Sequence, residues 1–151
     1  MGIRSVQLRA AAMGALGLFI HSPANAAVVA TCGASTGKAL WADRHAEWKD
    51  DGIRSGTFTF TLDAKNEANV VFRDVRGRVV DSRVDGGLVA LVAMQRQSRN
   101  YLFMVVYADE AIIETYNIFT RDDGTRHLFW TNNRTPLTGT AKVSAFSADC
   151  Y

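Results

Sequence analysis

The sequence predicts a single all-β domain, an antiparallel meander of about eight strands that forms a small barrel or a barrel-like sandwich. Three observations support this fold class. Apolar and polar residues alternate with a period of two, most regularly in Thr57–Leu62, as they do in half-buried strands. Turn-forming residues recur about every ten positions. β-Branched and aromatic residues, which fit a pleated sheet, are frequent between these turns.

The strands are assigned in chain order from Thr57–Leu62, where the two phenylalanines and the leucine share one face and the threonines the other. Turns that contain glycine delimit several of the later segments. Asp85–Gly87 and Asp122–Gly124 predict tight hairpin turns, because glycine readily adopts the positive φ that such turns need. The predicted strands are residues 57–62, 69–75, 78–84, 88–94, 101–107, 111–121, 126–132 and 141–148.

Two consecutive predicted strands, Leu88–Met94 and Tyr101–Tyr107, are apolar on both faces. Continuous apolar runs of this kind are typical of strands that are covered on both sides. We therefore expect this pair at the centre of the fold, covered on each side or wrapped into a closed barrel.

The segment Gly33–Gly52 does not follow the strand pattern and leaves two interpretations open. A short amphipathic helix would place Trp41, His45 and Trp48 on one face. An extended arm is the alternative, because the aspartate and histidine residues of this segment are weak helix formers. At its end, Asp50–Gly52 predicts a turn.

Residues 1–26 predict a cleaved export signal. Arg4 and Arg9 precede the apolar stretch Ala10–Ile20, and the segment ends in the Ala-x-Ala sequence of Ala24–Ala26, an order typical of secretory signal peptides. We expect residues 27–151 to form one mature domain that is periplasmic or secreted. No later apolar run reaches the ~20 residues of a transmembrane helix, so we predict no membrane span.

Cys32 and Cys150 are the two cysteines of the chain, and they lie near opposite ends of the predicted mature domain. We predict a disulfide between them, because export leads to an oxidising compartment. Two free thiols or a metal-binding pair are the alternatives, although two cysteines without neighbouring histidines make a poor zinc site. We accordingly predict neither a metal nor a cofactor.

The charge balance argues against nucleic acid as a partner. The chain contains 17 Lys and Arg residues and 15 Asp and Glu residues. Because Arg4 and Arg9 lie in the predicted signal, 15 residues of each sign remain in the mature domain. Without a net positive field or a run of basic residues, binding to a phosphate backbone has little electrostatic support.

Two short motifs suggest catalysis but lack the context that catalysis needs. Gly33–Gly37 matches the G-x-S-x-G pattern around Ser35, which in hydrolases is a turn between a buried strand and a helix. Too few residues precede Ser35 to build the required sheet. His45-Ala46-Glu47 has the H-x-E spacing of zinc deaminases without their P-C-x-x-C partner. We predict that the protein is not an enzyme, with a small hydrolase-like enzyme that uses Ser35 or His45 as the alternative.

Aromatic side chains supply most of the candidate binding residues. The majority should pack in the core, but a few would line a ligand cavity if the sheet closes into a barrel. The candidate ligand-binding residues are Trp41, His45, Trp48, Tyr116 and Trp130. We predict a non-catalytic binding or interaction module for an apolar small molecule or for an envelope or host protein. A structural envelope protein, with no pocket and a self-associating edge, is a further alternative.

Three segments, Cys32–Ala39, Trp48–Ile53 and Ser144–Cys150, resemble a group of small exported bacterial proteins. The similarity extends to Glu114–Tyr116 and Phe129–Thr131 and spans nearly all of the predicted mature domain. It implies export and paired terminal cysteines. It transfers no catalytic or binding residue to this chain.

Overall fold

The computed structural model describes residues 26–42, 47–135 and 140–151. The predicted export signal up to Asn25 and the candidate residue His45 lie outside these described residues. The described chain folds into ten strands: β1 (Ala27–Trp41), β2 (Trp48–Ile53), β3 (Thr57–Leu62), β4 (Ala68–Arg73), β5 (Val79–Asp81), β6 (Leu88–Gln95), β7 (Asn100–Tyr107), β8 (Ile112–Thr120), β9 (Arg126–Arg134) and β10 (Lys142–Cys150).

All ten strands belong to one antiparallel sheet that curls into a half-barrel, with the order β5-β4-β3-β1-β10-β9-β8-β7-β6 and with β2 paired to β1. From β6 to β10 each strand pairs with its neighbour in sequence, as in a meander. The first and last strands, β1 and β10, also pair with each other. The prediction of an all-β antiparallel, barrel-like domain is confirmed.

The long strand β1 is hydrogen-bonded along both edges. One edge pairs with β10, from Cys32 to Trp41. On the other edge, residues 27–32 pair with β3 and residues 35–40 pair with β2. Strands β2 and β3 therefore follow one another along the same side of β1, with a break at residues 54–56.

This arrangement decides between the two interpretations of Gly33–Gly52. The described part of the segment is extended, in β1 and β2, and the amphipathic-helix interpretation is wrong. The predicted turn at Asp50–Gly52 is also wrong, because these residues lie within β2 opposite β1. Their carboxylates form ion pairs: Asp50 Oδ1 lies 2.5 Å from Lys38 Nζ, and Asp51 Oδ2 lies 2.6 Å from Lys142 Nζ.

The sheet ends at β5 on one side and at β6 on the other. Residues 82–87 form the expected turn, in which Gly86 has a φ of 88° and the Gly87 amide donates to the Ser82 carbonyl at 2.7 Å. The predicted hairpin is nevertheless wrong, because β5 and β6 do not pair. Cα atoms of β4 and β6 still approach within 8 Å, so the half-barrel is nearly closed at this seam.

The position of β6 contradicts the expectation that it lies at the centre of the fold. Leu88 is 71% exposed and Val92 is 53% exposed, because β6 ends the sheet and its outward side chains are uncovered. Its neighbour β7 contributes two fully buried side chains, Phe103 and Val105. In β6, the apolar residues on the two faces therefore form one partly buried face, which packs against the core, and one exposed face.

The core is built around aromatic rings that reach across the half-barrel. Phe60 of β3 packs on Phe103 of β7, with ring centroids 5.2 Å apart. Trp130 of β9 stacks on Phe146 of β10 at 4.4 Å. The four largest fully buried side chains among the described residues are Phe60, Phe103, Ile118 and Leu128.

The predicted disulfide is present between Cys32 and Cys150, with an S–S distance of 2.04 Å. Cys32 lies directly opposite Cys150 in the pairing of β1 with β10, and opposite Phe58 in the pairing of β1 with β3. Its side chain is fully buried. The bond thus lies where the two halves of the sheet meet.

Removal of the disulfide is expected to destabilise the domain by about 4 kcal/mol, because the bond closes a long loop across a sequence separation of 118 residues. Cys32→Ser, Cys150→Ser and the double variant should lose equal stability in urea unfolding. Dithiothreitol should lower the stability of the wild type and leave the variants unchanged. Additive losses in the double variant would contradict a role through the bond alone.

Gly37→Ala should destabilise the domain by about 3 kcal/mol through overpacking. A Cβ atom at Gly37 would collide with the carbonyl oxygen of Ala145 and lie 2.7 Å from the Cα atom of Phe146. The matched control is Gly33→Ala in the same strand, where the nearest atom would be 4.0 Å away. Urea unfolding should show a small effect for the control, and equal losses would show that the contact at Gly37 is relieved by relaxation.

Candidate functional site

A cavity lies at one end of the half-barrel, where β7 ends at Tyr107 and β8 begins at Ile112. It has a volume of about 650 Å³. Residues from β2, β3, β4, β5, β7, β8 and β9 line it, together with the connections that follow β5 and β7. We call this space the mouth cavity.

The floor of the mouth cavity consists of four aromatic side chains, Phe58, Phe72, Tyr116 and Trp130. The rings of Tyr116 and Trp130 stack with centroids 5.6 Å apart and an interplanar angle of 16°. Phe58 packs on Phe72 at 4.9 Å and on Trp130 at 5.6 Å. The rings support one another and are held by packing, which suits the recognition of an apolar ligand.

A hydrogen-bonded acidic group lies beside this floor. Glu114 Oε2 accepts a 2.6 Å hydrogen bond from the Tyr116 hydroxyl, and its Oε1 accepts a 2.7 Å bond from Asn132 Nδ2. Glu114 and Asn132 face each other in the pairing of β8 with β9, which fixes both side chains. Each carboxylate oxygen thus already has one protein donor.

The same environment keeps Tyr116 protonated. Burial raises the pKa of Tyr116 well above 10, and the adjacent negative charge of Glu114 raises it further. At neutral pH the phenol is therefore a hydrogen-bond donor and is unsuited to act as a base.

The wall of the cavity next to the seam is fixed by Ser82 and Tyr107. The Tyr107 hydroxyl donates to Ser82 Oγ at 3.0 Å. Ser82 is 4% exposed although it follows the short strand β5. This bond ties the β5–β6 connection to the end of β7 and holds the wall in place without strand pairing.

Charged side chains surround the opening. The cavity lining includes, besides the uncharged aromatic floor, the charged residues Arg78, Asp85, Glu110 and Arg134. Both signs are present, so the rim offers partners to a polar group of either sign.

Trp130 carries a polar atom with an unusual environment. Its Nε1 is buried and has no hydrogen-bond partner among the described residues. An unpaired buried donor costs about 1–3 kcal/mol, and Trp N–H groups usually find a partner when buried. Trp130 lines the mouth cavity, so a bound acceptor is one way to satisfy this group.

The structure brings together two of the five candidate ligand-binding residues, Tyr116 and Trp130, in the mouth cavity. Trp41 and Trp48 lie elsewhere, at the end of β1 and the start of β2. Lys142 Nζ lies 4.5 Å from the centroid of the Trp41 ring. Trp48 is 55% exposed.

Ser35, the serine of the G-x-S-x-G pattern, lies in the middle of β1 opposite Ala148 of β10 and Ile53 of β2. It is 1% exposed, and its Oγ has no hydrogen-bond partner among the described residues. The turn between a strand and a helix that makes such a serine accessible is therefore absent here.

Glu114, Asn132 and Arg134 were not predicted as site residues, although the sequence holds a signal for them. Along a strand, every second residue points to the same face. Glu114 has the same parity as Tyr116, and Asn132 and Arg134 have the same parity as Trp130. Polar residues at inward positions near a strand end thus indicate a lined cavity.

The outer face of the sheet carries a row of apolar side chains, of which Leu40 and Val106 are half-buried and the others are exposed. Adjacent strands place them opposite one another, except that Asn133 interrupts the row. The row consists of Trp48, Leu40, Val143, Ile113, Val106 and Leu88. Trp48, Ile113 and Leu88 are 55%, 45% and 71% exposed.

Within residues 26–42, 47–135 and 140–151, no helical segment is long and apolar enough to cross a membrane. The same described residues contain no group of three or more His, Cys, Asp or Glu side chains placed to hold a metal ion. The mouth cavity is therefore characterised by its aromatic floor and its hydrogen-bonded polar groups.

Comparison with known proteins adds no family or activity. No protein-family model, curated protein sequence or solved structure matches the chain. The geometry of the mouth cavity is thus the basis for a functional proposal.

Tyr116→Phe should reduce the rate at which the free energy of unfolding falls as the pH rises above 10. Because the pKa of Tyr116 is raised in the folded state, its contribution is complete below pH 10, near the pKa of an unfolded tyrosine, and is lost as the pH rises above that value. One such proton contributes about 1.4 kcal/mol per pH unit. Above pH 10, urea unfolding of the wild type should show a slope steeper by about this amount than that of Tyr116→Phe.

The control for this measurement is Tyr151→Phe, which removes a phenol that is 77% exposed. It should retain the wild-type slope. Burial also raises the pKa of Tyr107, so the Tyr116→Phe variant should still lose some stability at alkaline pH. Identical slopes for the wild type and Tyr116→Phe would mean that Tyr116 ionises in the folded state as readily as in the unfolded chain.

Proposed function

We propose that the protein is an exported, non-catalytic binding protein that holds a small amphipathic molecule in the mouth cavity. The observation that carries the proposal is a cavity of about 650 Å³ with an aromatic floor and polar groups at its opening. Small-molecule sites usually have volumes of about 300–1,000 Å³ and combine an apolar lining with a few placed polar groups. The mouth cavity has a volume within this range, and it combines an aromatic floor with charged and polar groups.

The chemistry of the cavity favours binding over catalysis. Ser82 is the serine among the described lining residues, and its hydroxyl is engaged by Tyr107 rather than by a base. No histidine or cysteine is among those lining residues. A nucleophile activated by a neighbouring base is the usual requirement of covalent catalysis, so the hydrolase-like alternative has little support.

The lining also indicates the chemistry of the ligand. An apolar, planar part would pack on the stacked rings of Tyr116 and Trp130, where burial of apolar surface contributes about 25 cal/mol per Å². A hydrogen-bond acceptor on the ligand would satisfy Trp130 Nε1. A polar end would lie at the rim with Arg78 and Arg134. We therefore propose an aromatic or polycyclic ligand with one polar end.

Export of the protein is part of the proposal. The buried disulfide suits an oxidising compartment, and the signal-like sequence of residues 1–26 supports the same conclusion. The resemblance to small exported bacterial proteins agrees with it. Together these features favour a periplasmic or secreted location.

The alternative of a structural envelope protein is favoured by one observation, the exposed apolar row on the outer face. Contiguous exposed apolar surface often marks an interaction site. This alternative does not explain the mouth cavity. The two functions are separable by native mass spectrometry, because self-association produces oligomers and ligand binding produces a monomer with added mass.

Native mass spectrometry of the protein, exported by a bacterium and purified from its periplasm, is the first test. A ligand should appear as extra mass that disappears on denaturation. In the ligand-free protein, the dye anilinonaphthalene sulfonate, an aromatic anion, should bind with one-to-one stoichiometry and quench the fluorescence of Trp130.

Val79→Trp should weaken dye binding by about tenfold or more, because an indole at this cavity-lining position would occupy the mouth. The control is Val75→Trp, a matched substitution at a residue that is 73% exposed and outside the cavity lining. It should bind the dye as the wild type does. Equal affinities of the two variants, or neither copurified mass nor dye binding in the wild type, would overturn the proposal.

A further inference from the structure

The opposite end of the half-barrel, where β8 ends and β9 begins, carries a cluster of arginines. Arg99, Arg121 and Arg126 line a hollow of about 450 Å³, which we call the base hollow. Asp122 is the acidic side chain among the described residues that line it. The lining therefore has an excess of positive charge, in a domain whose total charges balance.

Close ionic partners of these arginines are absent from the described chain, although Asp123 interacts with Arg121 at longer range. None of the three forms an ion pair within 4.0 Å with a described carboxylate. Arg126 is held by neutral acceptors: its Nη1 donates to the Val29 carbonyl at 2.8 Å and its Nη2 to the Arg99 carbonyl at 3.5 Å. Burial and, to a smaller extent, the charge of Arg99 lower the pKa of Arg126, while the interaction with Tyr101 raises it.

Two buried polar atoms at this end also have no partner. Arg126 Nε and Thr120 Oγ1 are buried and form no hydrogen bond with any described residue. Thr120 and Arg126 face each other in the pairing of β8 with β9, and both line the base hollow. Buried polar groups in native proteins nearly always have a partner, and these two donors of paired residues are available to an acceptor that the described chain does not supply.

The geometry points to a binding site for a phosphate group in the base hollow, which nothing in the proposed function requires. Guanidinium groups recognise phosphate oxygens through charge-assisted, often bidentate hydrogen bonds. The exposed side chains of Arg99 and Arg121 would contact the anion first. Arg126 Nε and the Thr120 hydroxyl would donate to it after a local adjustment, because both atoms are covered in the ligand-free protein.

The phosphate group comes either from inorganic phosphate or from a phosphate monoester. Isothermal titration calorimetry with sodium phosphate and with glycerol phosphate distinguishes the two sources. It should be performed in about 0.15 M sodium chloride, where unspecific charge attraction is screened beyond ~8 Å. Similar affinities for both compounds would show that one phosphate oxygen faces solvent, where the glycerol group can be attached. Affinity for inorganic phosphate alone would show that the site encloses the whole anion.

Arg121→Gln and Arg99→Gln should each weaken phosphate binding by about tenfold, because each removes charge-assisted hydrogen bonds. The matched control is Arg76→Gln, the same charge change at an exposed residue in the turn after β4, outside the lining of the base hollow. It should retain the wild-type affinity. Equal weakening in all three variants would show an effect of net charge only and would overturn the proposal.

Thr120→Val separates binding from folding. The substitution exchanges the unpartnered hydroxyl for a methyl group, so the ligand-free protein should be as stable as the wild type or more stable. Its affinity for phosphate should nevertheless fall. Absence of binding by the wild type at about 10 mM phosphate, or unchanged affinity in Thr120→Val together with unchanged affinity in Arg121→Gln, would overturn the proposal.

Discussion

The pairing of the first and last strands is the interaction on which the rest of the fold depends. In the hydrogen-bonded sheet, β1 joins β2–β5 on one side to β6–β10 on the other. Cys32 lies opposite both Phe58 and Cys150, so the disulfide locks β1 to β10 at the point where the two sides meet. A contact between residues so distant in sequence is entropically costly to form in an unfolded chain. The covalent bond removes most of that cost and thereby stabilises the curvature that encloses the core.

The mouth cavity is a consequence of the seam at which the half-barrel stays open. A closed barrel of about eight strands has an interior that side chains can fill. Here β5 is three residues long and leaves β6 without a partner on one edge. The chain between them turns inward instead, and the bond from Tyr107 to Ser82 fixes it as a wall. The same seam therefore explains the cavity beside it and the exposed side chains of β6.

The sequence located strands reliably where one face of the strand is exposed to solvent and the other is buried. The alternation in Thr57–Leu62 locates β3 to the residue, because its inward side chains are large and apolar. Strand β1 gives no such signal, since its inward residues beyond the disulfide are small: Ser35, Gly37 and Ala39. A register shift between Cys32 and Ser35 also reverses the parity of the inward positions. Tyr116 and Trp130 could be identified as candidates from their aromatic character. Their meeting with Glu114 depends on the register of β8 with β9, which a single sequence does not contain.

The two ends of the half-barrel differ in what folding leaves unpaired, and this difference determines the ligand proposed for each. At the mouth, each carboxylate oxygen of Glu114 already accepts one hydrogen bond. A ligand there would therefore contact the aromatic floor and the unpaired N–H group of Trp130. At the base, the three arginines form no ion pair within 4.0 Å with a described carboxylate, so the proposed ligand is an anion. Phe60, Phe103, Ile118 and Leu128 are fully buried in the core. The lining residues of the mouth cavity and of the base hollow do not overlap. We therefore propose two chemically different ligands that contact separate residues, one held through apolar burial and the other through charge.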